Sequence, residues 1–121
     1  MQWRAIGLAA LLVACGSEDE PDSLGVDRSL QVTGVTDAQV AKICDWLVAQ
    51  FGGYGARKEC GSGISGVTPV SQAACIEGWY HRSPNPACTA TVGDYEACML
   101  AREGDLCYPT RPPACEPFTA C

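Results

Sequence analysis

Apolar residues recur at three- and four-residue steps through Val40, Ile43, Cys44, Leu47, Val48 and Phe51, which gives a first helix one apolar face. Its start is also marked. Thr36 stands as N-cap with Gln39 three residues on, the spacing of a capping box, and Val35 and Val40 are placed to form a hydrophobic staple. Gly52-Gly53 end it. Because Cys44 lies on the apolar face, a disulfide from it should run inward, with Cys75 or Cys98 on later helices as natural partners.

Two shorter helices follow. Thr68 and Pro69 read as a cap and first-turn pair leading through Ser71, Ala73, Ala74, Cys75 and Ile76 towards Trp79, although Gly78 weakens the last turn. Thr91 with Asp94 resembles a second capping box, followed by Tyr95, Cys98, Met99 and Arg102, with Gly104 as the C-cap. No segment shows a two-residue alternation that would mark a strand. The pattern therefore predicts an all-α fold: a small disulfide-rich domain of about three short helices with irregular Gly/Pro-rich connections.

Composition explains why disulfides are needed. Between Leu30 and Cys121, Leu, Ile, Val and Phe total 16 of 92 residues, below the roughly 20% under which chains tend towards disorder. Nine cysteines would leave one unpaired, but if Cys15 is set aside, Cys44, Cys60, Cys75, Cys88, Cys98, Cys107, Cys115 and Cys121 can form four bridges. Their connectivity is open. The close Cys-x-x-Cys pairs usual for zinc are absent and His81 is the only histidine, so no metal and no cofactor is expected.

The N-terminal pattern differs from the rest. Arg4 precedes about nine apolar residues from Ala5 to Ala14, too few for the roughly twenty that span a bilayer. Residues 16–29 hold Glu18, Asp19, Glu20, Asp22 and Asp27 against Arg28, and read as a solvated tether. The chain then divides into a leader at 1–14, Cys15 with the tether at 15–29, and the helical domain at 30–121.

The segment Leu12-Val13-Ala14-Cys15 resembles the lipobox of bacterial lipoproteins. That resemblance implies a leader cut before Cys15, lipid on the Cys15 thiol, and a membrane partner reached through the anchor; two or three acyl chains hold a protein almost permanently. Gly16, where an inner-membrane protein of this kind commonly has aspartate, implies the outer membrane, with the domain facing periplasm or cell surface. Beyond the leader the chain is similar to small cysteine-rich lipoproteins of unassigned function, a likeness of cysteine count and helix signals.

Catalytic chemistry finds little footing. No serine carries a triad motif with His81, the thiols are expected to be oxidised, and Glu77, Asp94, Glu96, Glu103 and Asp105 suit helix caps and solvated faces. His81 reads as a solvent-facing loop residue. The domain after Ser29 has nine acids against six bases, which argues against nucleic acid. Two stretches could bind something. Phe51 to Lys58 is a glycine-rich turn with two basic residues, suited to an anion or merely to ending the first helix. Trp79, Tyr80, His81 and Arg82 form the candidate binding surface, although core packing is the stronger reading of Trp79, which leaves Tyr80 and Arg82 for the surface. The function expected is non-catalytic: a membrane-anchored module that binds an unidentified envelope or extracellular protein or serves structurally. The alternative is a carrier of a lipid or small apolar ligand in a cavity between disulfide-linked helices.

Overall fold

The computed structural model describes residues 24–108 and 110–121. The leader, the lipobox, Cys15 and most of the acidic tether lie outside the described residues. Core structure begins earlier than the boundary at Leu30. Leu24 and Val26, assigned above to the tether, are buried at 1% and 8% exposure.

Helix α1 spans Asp37–Gln50, and its N-terminus has both arms of the capping box: the Gln39 amide donates to Thr36 Oγ1 at 3.2 Å and the Thr36 amide to Gln39 Oε1 at 2.9 Å. Its inward face is broader than the periodicity suggested. Val40, Ile43, Cys44 and Val48 are buried as expected, and Trp46 joins them.

The expected all-α class is overturned by a β-hairpin, β1 at Arg57–Gly61 pairing antiparallel with β2 at Ile64–Val67. It escaped the pattern because neither face is buried. Ile64 and Val67 are 64% and 61% exposed, and the cross-strand contacts are polar: Arg57 donates to Ser65 Oγ at 2.9 Å, and Ser65 in turn to Glu59 at 3.1 Å. With no face to bury, the strands need not alternate. Ser62 and Gly63 both take positive φ, as a two-residue type I′ turn requires.

The second helix, α2, covers Gln72–Glu77 and is capped by Ser71, whose hydroxyl accepts from the Ala74 amide at 3.1 Å. Thr68, the expected cap, does other work. It is buried at the hairpin base, donating to Gly53 O at 2.7 Å and accepting from the Ala56 amide at 2.9 Å. Helix α3 is Val92–Leu100, with the Thr91–Asp94 capping box complete. It stops at Ala101, and a turn carries the chain to Gly104, whose φ is positive. A 3-10 helix at Pro113–Phe118 completes the fold.

Four disulfides join these pieces. Cys44–Cys75 ties α1 to α2, Cys98–Cys115 ties α3 to the 3-10 helix, Cys60–Cys107 holds the hairpin to the segment after α3, and Cys88–Cys121 fixes the last residue. Residues 28–32 run alongside α3's entry, where Val32 donates to Ala90 O at 2.9 Å and Val92 to Leu30 O at 2.8 Å. One core results, centred on Leu24, Val32, Val40, Ile43 and Val92 with the buried half-cystines. Among the described residues no helix is long and apolar enough to cross a membrane.

Candidate functional site

The four residues of the proposed binding surface do not share a surface. Trp79 is 6% exposed and donates its indole Nε1–H to Val32 O at 2.8 Å, so it belongs to the core and is removed from the candidate set. His81 is not solvent-facing either. Its side chain is only 12% exposed, with Nε2 hydrogen-bonded to Asp37 Oδ1 at the start of α1 and Nδ1 buried without a partner among the described residues. Arg82 bonds Asp37 Oδ2 at 3.1 Å and lies 3.6 Å from Glu77. The chain after α2 is thus clamped to the first turn of α1, a structural use of these polar groups. The hydrogen bond from His81, with help from the charge of Arg82, holds the Asp37 carboxyl below its ordinary range.

The glycine-rich turn is not an anion cradle. Its amides are already engaged, Gly53 with Val48 O, Gly55 with Pro69 O and Ala56 with Thr68 Oγ1. Arg57 pairs with Glu59, and Lys58 lies 3.6 Å from Asp105. Asp94 is likewise committed, as the acceptor in its own cap. Among the described residues no three His, Cys, Asp or Glu side chains could hold a metal ion.

Tyr80 turns the other way, into a cluster of rings. Trp79 packs edge-on against Tyr80 and Tyr95 with centroids 5.2 and 4.9 Å apart, and Phe118 lies 5.7 Å from Tyr80 and 5.9 Å from Tyr95. These are favourable aromatic separations. Trp79 forms the buried backing; Tyr80, Tyr95 and Phe118 line an open cleft of about 330 Å³, together with Met99, Arg102 and Arg111. Its walls are α3 on one side and the 3-10 helix on the other, joined by Cys98–Cys115 at the base. Burial pushes both phenols upward, and the positive charges of Arg111 and Arg102 oppose the rise at Tyr80, as Arg102 does at Tyr95.

Part of this cleft was visible in the sequence. Tyr95, Met99 and Arg102 stand at four- and seven-residue steps, so they share a face of α3 and its following turn. Phe118 and Arg111 gave no signal, since a disulfide between distant residues brings them there. Comparison with protein-family models, curated proteins and solved structures finds no match for this chain.

Proposed function

We propose that the protein is a lipid-anchored, non-catalytic binding module of the cell envelope, held at the outer membrane through Cys15, with the aromatic cleft as its binding face. The observation that carries the reading is the cleft itself. Aromatic walls at interior packing distances, cross-braced by Cys98–Cys115, make a preformed concavity at the lower end of the volumes that small ligands occupy. A preformed site loses little entropy when it is filled. The acidic tether would give the domain reach from the bilayer.

The carrier alternative draws on the same cleft, which lies between two disulfide-linked helical segments. Its opening to solvent and its two guanidiniums favour one ring system or side chain over a sequestered lipid.

Two measurements test the reading. The intact mass of the protein from the membrane fraction should show lipid on Cys15 and no free thiol. A thermal-melt screen against small molecules should find compounds that raise the midpoint of the native chain and not that of Tyr80→Ala. At a hundred times Kd the stabilisation is about 2.7 kcal/mol, roughly 10 °C or more for a domain this small. An unlipidated chain would overturn the anchor, and ligands indifferent to Tyr80 would overturn the binding face.

A further inference from the structure

The charge in the cleft runs against the rest of the molecule. The chain has 14 acidic and 8 basic residues. Arg28, Arg57, Lys58 and Arg82 each lie beside a carboxylate. Arg102 and Arg111 do not: no carboxylate among the described residues is within ion-pair distance of either, and both line the same cleft. Nε of Arg102 is buried with no acceptor among them. A partly buried guanidinium left without acceptors is costly, and the cost is relieved when a counter-charge arrives.

We propose that the cleft between α3, the 3-10 helix and Tyr80 is a site for a small aromatic monocarboxylate, its ring on Tyr80, Tyr95 and Phe118 and its carboxylate on Arg102 and Arg111. The inference rests on the reading of the cleft as the binding face and adds the chemistry of the occupant. The planar fork of a guanidinium matches a carboxylate in a way a lysine does not. Three mutually inclined rings and the Met99 thioether supply apolar walls that can meet a ring by face or by edge. The chain's net charge of -6 repels a multiply charged ligand more than a singly charged one, which favours a monoanion over a phosphate ester.

The probes are 2-naphthoate, its neutral isostere 2-naphthamide, and 2-naphthyl phosphate, each titrated into the full exported chain and followed by NMR. The readouts are the arginine Nε–H signals and the backbone amides of Tyr80 and Phe118. Naphthoate should move the Arg102 and Arg111 signals and bind at least about tenfold more tightly than the amide. Arg111→Gln and Arg102→Gln should each remove about that factor for naphthoate and leave the amide unchanged. Arg111 is exposed, so Arg111→Gln decides the matter even if Arg102→Gln misfolds. Equal binding of naphthoate and amide at the Tyr80 and Phe118 signals would overturn the carboxylate and leave the cleft as binding face. Tighter binding of the phosphate would overturn the monoanion. No shift at any cleft signal with millimolar probe would overturn both the inference and the binding face beneath it.

Discussion

Removing the Cys98–Cys115 bridge should destabilise the domain more than removing Cys60–Cys107, although loop-closure entropy alone ranks them the other way. The two bridges close sequence separations of 17 and 47 residues. On the chain-entropy account these are worth about 3.1 and 4.1 kcal/mol. The surroundings reverse the order. Cys98 and Cys115 are 3% and 0% exposed, between α3 and the 3-10 helix, so replacing both with alanine also leaves a void where two sulfurs packed. At about 1 kcal/mol for each methyl-sized void, the total approaches 5 kcal/mol. Cys60–Cys107 only ties a hairpin with little buried surface to the segment after α3, and both half-cystines are partly exposed. That hairpin can detach locally, so global unfolding should feel less than the full 4 kcal/mol or so. The assay is equilibrium unfolding in guanidinium without reductant, comparing Cys98→Ala/Cys115→Ala with Cys60→Ala/Cys107→Ala by far-UV circular dichroism. Domains of this size have about 5 to 15 kcal/mol in all, so the first variant should lose roughly a third or more of its stability. A larger loss in the second variant would refute the argument that burial outweighs loop length here.

Trp79→Phe keeps an aromatic ring and removes the donor to Val32 O, leaving that carbonyl unsatisfied in the core. It should lose about 1 to 3 kcal/mol in the same unfolding assay, and an unchanged midpoint would contradict the assigned hydrogen bond. Gly66→Ala would drive a Cβ onto the backbone carbonyl of Leu106, so the segment after α3 must move away from β2. A lower melting temperature and faster exchange of the Thr68 amide are expected, and unaltered exchange would count against that close approach. Asp37 has a folded pKa held below its ordinary 3.8, so the stability it contributes is present above that value and is lost as pH falls through the folded one. The stability gap between the native chain and Asp37→Asn should hold down to the ordinary carboxylate range and close as pH falls below 3.8, as followed by thermal melts. A gap that stays constant to the acid end would remove Asp37 from the clamp.

The helices were legible in proportion to how local their signals are. Thr36 with Gln39 and Thr91 with Asp94 satisfy amides within their own turn, so the capping boxes that mark α1 and α3 could be read without neighbours. The start of α2 could not, because Thr68 and Ser71 are both competent caps three residues apart. Only the approach of Gly53 and Ala56 commits Thr68 to the hairpin base. His81 posed a similar problem. One histidine after a short helix carries no mark of burial, and its partner Asp37 is 44 residues away. In the hairpin, Gly61, Ser62 and Gly63 held a turn signal while the strands held none, since exposed strands are free to be polar on both faces.

By itself the sequence determined the two helices with complete capping boxes, α1 and α3, and that cysteines must brace a chain too poor in large aliphatics to hold a core alone; the start of α2 and the 3-10 helix at Pro113–Phe118 were not legible in it. The legible properties follow from short-range hydrogen bonding and from composition. Which cysteines pair, that Tyr80 joins Tyr95 and Phe118 in one cleft, and that Arg102 and Arg111 line it were decided only by tertiary structure. Each depends on segments far apart in the chain being held at one place, and that proximity is set by packing and by the bridges Cys44–Cys75 and Cys98–Cys115.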